Sequence, residues 1–253
     1  MRAGRQQEEH VQRLDVIAFG PHPDDAEAAC GGLLAKLVRL GYRVAICDLT
    51  RGELASNGTP AEREAEARAA AGVLGVHARL SLGLADGGLR ADDPEQQRLL
   101  VRLLRAHGPR LVIAPHEAAR HPDHGQATAL VRRAQFWCAV GRYEADAAPV
   151  GRPVLIRALD FGPMTPSFVV DIGAELETKL SALRCYRSQF ERTVGSIPTV
   201  LNDPAWLRRI ETDAHTYGQL VGLDAAEPYA VDGAVPLADP VAALAPAAVE
   251  VRR

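Results

Sequence analysis

Residues 18–32 read AFGPHPDDAEAACGG, which joins the end of an apolar segment to three acidic side chains and a glycine pair. The acids are Asp24, Asp25 and Glu27, and His22 comes shortly before them. Neighbouring carboxylates raise one another's pKa, so a fold keeps such a cluster when a positive group lies among them. The positive group that this pattern favours is a metal ion.

Short apolar segments and longer amphipathic segments alternate along the chain outward from this stretch. Four predicted strands are rich in apolar and β-branched residues: DVIAFG, YRVAICDLT, ARLSLGL and RLVIAPH. The amphipathic segments between them predict helices, which end at glycines such as Gly41. This alternation is typical of right-handed βαβ crossovers. It predicts an α/β fold, a doubly wound, mostly parallel, Rossmann-like sheet with helices on both faces and a small C-terminal extension.

The C-terminal part of the chain continues the pattern. Strands are predicted at 153–162 and 167–173, with an antiparallel arrangement as one option, and a helix is predicted at 174–190. After Tyr229 the sequence is rich in alanine and proline and poor in aromatic residues, which indicates a loose tail.

We therefore predict three parts. Residues 1–14 form a charged N-terminal extension, residues 15–229 a single α/β domain, and residues 230–253 the tail.

Composition excludes several classes of function. The 253 residues are 47% apolar, which is enough to bury one substantial core. The net charge of -3 is spread along the chain, so we expect no nucleic-acid partner and no membrane surface. The N-terminal segment lacks the apolar run of a secretory signal and no stretch is long enough to span a membrane, which predicts a cytoplasmic protein. The four cysteines are far apart without a C-x-x-C motif, which predicts neither disulfides nor a thiolate zinc site.

The tripeptide H-P-D occurs twice, at 22–24 and at 121–123. In each case another potential metal ligand follows at once, Asp25 in the first and His124 in the second. Both tripeptides follow predicted strands, and ligands of open α/β sheets bind beyond the carboxyl ends of the strands. The topology can therefore bring both clusters to one edge of the sheet.

The two clusters together suit a catalytic metal. A catalytic zinc site uses about three protein ligands and keeps one position open for water. Three such ligands are available in His22, Asp25 and His124. Asp24 and His121 then lie beside the ligands, where a general base and an electrophile are needed.

Two alternatives belong to other classes. In the first, Asp24, Asp25 and Asp123 cap the helices that follow them. In the second, the chain is a non-catalytic module that binds a nucleotide or a sugar and uses the acids to hold a structural cation. The second is disfavoured because a structural zinc site uses four protein ligands, and because no G-x-G-x-x-G or P-loop motif is present. A serine hydrolase is disfavoured by the absence of a G-x-S-x-G motif.

The segments GPHPDDAEAACGG and RHPDH resemble the zinc-dependent de-N-acetylases of the LmbE and PIG-L type. These enzymes remove the acetyl group from N-acetylglucosaminyl compounds. Within the family, ICDLTRGELASNGTPAER, PSFVVDIG and LRCYRSQF are most similar to the bacterial N-acetylglucosaminyl malate deacetylase of bacillithiol synthesis. Other members act on the mycothiol precursor, on chito-oligosaccharides and on antibiotic intermediates, which are the alternative substrates.

The resemblance implies one zinc ion per chain, held by His22, Asp25 and His124, with another divalent metal as the alternative. It implies that Asp24 is the base that activates the attacking water. His121 would polarise the carbonyl or stabilise the oxyanion. The proton for the leaving amine would come from Asp24 or from His121.

The resemblance also implies roles for residues farther along the chain. Asp123 would orient His121, and Arg63 would lie near the substrate. A tyrosine from a C-terminal loop would reach the oxyanion, with Tyr217 as the candidate and His215 competing for the position. The implied partners are a small-molecule glycoconjugate and further copies of the chain, since similar bacterial members often form hexamers. Malate is an anion, so basic groups such as Arg63 or Arg187 are expected near it.

Overall fold

The computed structural model describes residues 13–117, 121–144, 146–159 and 165–236. Most of the predicted N-terminal extension and most of the predicted tail lie outside these residues. The end of the strand predicted at 153–162 also lies outside them, and the domain boundaries stay a prediction.

The described residues form seven strands and seven helices. The strands are β1 Val16–Gly20, β2 Val44–Thr50, β3 Ala78–Leu84, β4 Leu111–Pro115, β5 Val154–Ala158, β6 Phe168–Asp171 and β7 Ala226–Val231. The helices are α1 Asp25–Arg39, α2 Pro60–Leu74, α3 Pro94–His107, α4 Pro122–Trp137, α5 Leu176–Arg184, α6 Arg187–Phe190 and α7 Ala205–Gln219. None of these helices combines the length and the apolar composition that crossing a bilayer requires.

All seven strands belong to one sheet in the order β3-β2-β1-β4-β5-β7-β6. Strands β1 to β5 are parallel, and β7 runs antiparallel to both of its neighbours. Alternate residues of β1 face opposite sides: Val16 and Ala18 pack in one core cluster, Ile17 and Phe19 in the other. Helices cover both faces, so the predicted α/β class with a mostly parallel sheet is confirmed.

The structure corrects several details of the C-terminal part. The two predicted strands, β5 and β6, do not pair with each other: β5 pairs parallel with β4, and β7 lies between β5 and β6 and runs antiparallel to both. Strand β7 was not predicted because Glu227 and Pro228 interrupt its apolar pattern, and it carries the sheet two residues past Tyr229. The helix predicted at 174–190 divides into α5 and α6, since Tyr186 leaves helical geometry and turns its ring into the core.

The strand order places a crevice between β1 and β4. From β1 the chain moves outward to β2 and β3, and then returns to β4 on the other side of β1. Ligands of open α/β sheets bind at such a reversal, outside the carboxyl ends of the strands. The two H-P-D tripeptides follow β1 and β4, so both lie at this crevice.

A buried arginine holds the far end of α4. Arg105 of α3 is 5% exposed and donates to backbone carbonyls around the end of α4. The oxygens are those of Trp137 at 3.3 Å, Cys138 at 3.1 Å, Val140 at 2.8 Å and Ala147 at 2.8 Å, with Glu144 in addition. The carbonyl end of a helix is the negative end of its dipole, so a cation there is stabilising.

We expect Arg105→Met to lower the free energy of unfolding by about 3 kcal/mol, because several buried carbonyls lose their donor. The control is Arg102→Gln on the same helix. Arg102 is exposed and pairs with Glu144 at 2.6 Å, and exposed pairs contribute less than about 1 kcal/mol. Urea denaturation measures both variants. Equal losses in the two would contradict the role of Arg105.

Candidate metal centre

A tight turn follows β1 and brings the first H-P-D tripeptide over the edge of the sheet. At Gly20 a Cβ atom would lie 3.0 Å from the carbonyl oxygen of His22, so a side chain at this position would crowd the turn. The carbonyl of Pro21 accepts two hydrogen bonds from Thr50 at the end of β2, from its amide at 3.0 Å and from its hydroxyl at 2.9 Å. The neighbouring strand thus fixes the turn that presents His22.

Asp24 occupies the N-cap position of α1 in a left-handed conformation, with φ of 107°. This conformation is costly for a residue with a Cβ atom and is concentrated at functional sites. Its side chain makes no capping hydrogen bond, so the capping alternative fails for Asp24. The carboxylate accepts a hydrogen bond from Arg63 Nη2 at 2.9 Å instead. Both side chains are buried.

The structure brings the three predicted ligands together. Asp25 Oδ2 lies 3.1 Å from His22 Nδ1, and Asp25 Oδ1 lies 3.2 Å from His124 Nε2. One ligand atom from each of the three residues lies within 4.8 Å of the others. Two imidazole nitrogens and one carboxylate oxygen are a donor set that suits zinc and related divalent metals. The group therefore fits a metal ion.

A second group of possible ligands shares His22. His22, His121 and Asp123 also place one ligand atom each within 4.8 Å of one another. Asp123 Oδ2 lies 3.4 Å from His22 Nε2 and accepts a hydrogen bond from the Gly87 amide at 2.8 Å. His121, rather than Asp123, is the N-cap of α4, and its Nδ1 accepts from the Asp123 amide at 3.3 Å. The predicted action of the Asp123 carboxylate on His121 stays a prediction.

Sequence reasoning missed Asp86. This residue follows β3 in a glycine-rich loop, and its Oδ1 lies 3.0 Å from His22 Nε2. Its Oδ2 accepts a hydrogen bond from the Leu54 amide at 2.9 Å, which ties together the loops after β2 and β3. The available signal was an acid directly after the carboxyl end of a predicted strand. Without a histidine beside it, that signal is common in loops.

Glu27, the third acid of the segment 18–32, is paired with an arginine rather than placed in the ligand group. It is fully buried, forms an ion pair with Arg79, and accepts a hydrogen bond from the Tyr186 hydroxyl at 2.8 Å. Arg79 also binds both oxygens of Asp48, at 2.7 and 2.8 Å. The expectation that one metal balances all three acids is therefore wrong for Glu27, whose positive neighbour is a guanidinium group from β3.

The acids give the ligand group a strong negative potential. Burial acts to lower the pKa of His22, but the hydrogen bond to Asp25 and the acidic charges around it raise the value to about 9. Burial acts to raise the pKa of Asp25, but the charge of His124 and its hydrogen bond hold it well below the ordinary range. Burial raises the pKa of Asp24 to about 7, against the charge of Arg63. The site thus draws a proton onto His22, and a metal cation would replace that proton.

Arg63 lies on the buried face of α2 rather than on its exposed surface. It is 4% exposed and donates to the carbonyl of Gly52 at 3.4 Å and to that of Pro23, besides its contact with Asp24. The structure therefore brings Arg63 to the predicted base. Its predicted contact with a substrate stays a prediction.

Tyr217 lies on α7, not on a loop. Helix α7 forms because Ile210, Ala214 and Gly218 recur on one face and are buried. Tyr217 lines a cavity of about 300 Å³ between α1, α7 and β7, and none of the three predicted ligands lines this cavity. In His215, the competing residue, Nδ1 is hydrogen-bonded to the carbonyl oxygen of Asp224 at 2.8 Å. The oxyanion role of Tyr217 stays a prediction.

The model of the PIG-L family, described as GlcNAc-PI de-N-acetylase, matches residues 17–135. A solved structure of a conserved protein from Thermus thermophilus superposes with a TM-score of 0.81 at 39% identity. The superposition covers 88% of this chain and 97% of that one.

Two similar proteins are named after deacetylase activities. The diacetylchitobiose deacetylase of Thermococcus kodakarensis is 29% identical over 219 residues, which is 82% of this chain and 79% of that protein. The probable N-acetyl-alpha-D-glucosaminyl L-malate deacetylase 2 of Bacillus cereus is 28% identical over 196 residues, which is 72% of this chain and 86% of that protein.

We expect His124→Ala to lose stoichiometric zinc, because one of the two predicted imidazole ligands is removed. Equilibrium dialysis against Zn²⁺ with elemental analysis measures the bound metal. His215→Ala is the control, since His215 lies on α7 and contacts Asp224 rather than the ligand group. Stoichiometric zinc in His124→Ala would refute this ligand set.

Proposed function

Because the chain belongs to the PIG-L family, described as GlcNAc-PI de-N-acetylase, we propose that it removes the N-acetyl group from an N-acetylglucosaminyl conjugate by metal-dependent hydrolysis. The observation that carries the proposal is the convergence of His22, Asp25 and His124 beside a separate buried carboxylate, that of Asp24. A site with three ligands and a separate carboxylate is arranged for hydrolysis, since a structural metal takes four ligands from the protein.

We propose Zn²⁺ as the metal, held by His22, Asp25 and His124. The same donor types accept iron, cobalt and manganese, so the choice of metal depends on geometry and supply. When bound, zinc supplies a Lewis acid that polarises a carbonyl and lowers the pKa of water from 15.7 to about 7.

Asp24 is the proposed general base. Its backbone conformation and its contact with Arg63 fix the carboxylate next to the ligand Asp25. Arg63 binds Oδ2 of this carboxylate. The other oxygen, Oδ1, is therefore the one proposed to take a proton from the attacking water.

His121 is the proposed group that polarises the acetyl carbonyl and stabilises the oxyanion. It is exposed at the start of α4, with its ring centroid 4.8 Å from that of His22. Loss of one such preorganised donor costs roughly 10²–10³ in rate. The proton for the leaving amine comes either from Asp24, which returns the one it took, or from His121.

We expect Asp24→Asn to lower kcat by about 10²–10⁴ with normal zinc content, because the variant loses a base and keeps every ligand. Acetate release under saturating substrate measures kcat, and elemental analysis measures zinc. The near-identical shape of asparagine preserves an acceptor for Arg63. Turnover within tenfold of the parent protein would exclude Asp24 as the base.

For the substrate we propose N-acetylglucosaminyl malate, supported by the similarity to the Bacillus cereus relative. A malate group requires a cation in its pocket. The sequence candidates already have carboxylate partners, since Arg63 binds Asp24 and Arg187 Nε lies 3.0 Å from Glu191. Arg51 is a better candidate, because it is exposed directly after β2 and forms no ion pair with a described residue.

A substrate panel tests this choice. We expect kcat/KM for N-acetylglucosaminyl malate to exceed that for diacetylchitobiose and for N-acetylglucosamine by at least about tenfold, a difference of roughly 1.4 kcal/mol. Arg51→Gln should remove the preference by raising KM for the malate compound only. If diacetylchitobiose were the best substrate, the malate proposal would be wrong, and the activity would instead resemble that for which the Thermococcus relative is named. No acetate from any member, with zinc bound, would favour the binding-module alternative.

A further inference from the structure

Helix α1 is interrupted after its first turn. Cys30 has non-helical backbone angles, with φ of −143° and ψ of 18°. In a continuous helix the amides of Gly32 and Leu33 would donate to carbonyls four residues earlier. Here they donate to the two oxygens of Glu227, at 2.9 and 2.8 Å. The carboxylate of Glu227, from β7, therefore caps an internal helix start.

This carboxylate is buried and has further partners. Lys179 Nζ of α5 lies 2.7 Å from Oε1, and the Tyr229 hydroxyl donates to Oε2 at 2.7 Å. All three side chains are almost completely buried. The lysine balances the charge of Glu227. Three elements, α1, α5 and β7, meet at this point.

The glycine pair of the opening stretch makes this meeting possible. A Cβ atom at Gly31 would lie 3.2 Å from Lys179 Cγ, and one at Gly32 would lie 2.8 Å from Ile172 side-chain atoms. A side chain at Gly32 would force Ile172 to move, and one at Gly31 would require Lys179 to shift by a few tenths of an ångström. The glycines therefore serve the contact at the interruption rather than the beginning of the helix.

We propose that Glu227 and Lys179 are positioning residues for the metal ligands, an inference that rests on the proposed function. The first turn of α1 carries Asp25, and the capped interruption sets its direction relative to the rest of the helix. Without the Glu227 carboxylate, the amides of Gly32 and Leu33 find partners by closing α1 into one continuous helix. That closure turns Asp25 away from His124, which belongs to α4.

The test compares Glu227→Gln with Leu180→Ala. The first removes the charge and one of the two capping oxygens, whereas the second removes packing from the buried neighbour of Lys179 and leaves the cap intact. We expect Glu227→Gln to bind Zn²⁺ at least tenfold more weakly and to change the visible spectrum of the Co²⁺ form. Leu180→Ala should lower the thermal midpoint yet keep the zinc affinity and the spectrum of the parent protein.

Tyr229→Phe is the milder second variant, since it deletes one hydrogen bond to Glu227 at unchanged ring volume. We expect Tyr229→Phe to lower zinc affinity threefold or more. If Glu227→Gln does not fold, this variant alone tests the positioning role. Parent-like zinc affinity in a folded variant of either kind, or an equal loss in Leu180→Ala, would overturn the positioning role. Absence of zinc binding in the parent protein would instead overturn the proposed function, so the two failures are distinguishable.

Discussion

The carboxylate of Asp25 is the group on which the arrangement of the site depends. Each of its oxygens contacts a different histidine, His22 from its own turn and His124 from α4. Helices α1 and α4 cover opposite faces of the sheet, and the crevice between β1 and β4 brings their N-terminal ends together. Without the imidazoles or a cation, this largely enclosed carboxylate would keep the hydrogen bond from the His22 amide at 2.8 Å but lose its charged partners, which is costly. The reversal of strand order therefore creates both the crevice and the candidate metal centre within it.

Much of this followed from the sequence because the relevant signals are local. The strands β1 to β4 are short, largely apolar segments, and both H-P-D tripeptides lie where a strand leads into the next helix. Parallel topology then places them at one edge without further information. The sequence could therefore predict that His22, Asp25 and His124 converge beside Asp24, as the structure shows. The cytoplasmic location and the homo-oligomeric state rest on sequence and resemblance, and they stay predictions.

The groups that sequence reasoning missed depend on contacts between distant residues. Asp86 reaches His22 from a loop after β3, and Glu227 reaches the middle of α1 from the seventh strand. Neither acid belongs to a recognisable sequence motif, because single acids are common in loops and near the start of strands. The resemblance predicts that Arg63 lies near the substrate, but only the packed structure shows its contact with Asp24. Burial, rather than periodicity, identifies all three.

X-ray diffraction from crystals grown with Zn²⁺, measured on both sides of the zinc absorption edge, tests the ligand assignment most directly. The assignment predicts one anomalous peak per chain, about 2.0–2.2 Å from a nitrogen of His22, an oxygen of Asp25 and a nitrogen of His124. A peak held by His121 and Asp123 in place of Asp25 and His124, or no peak at this edge of the sheet, would contradict it.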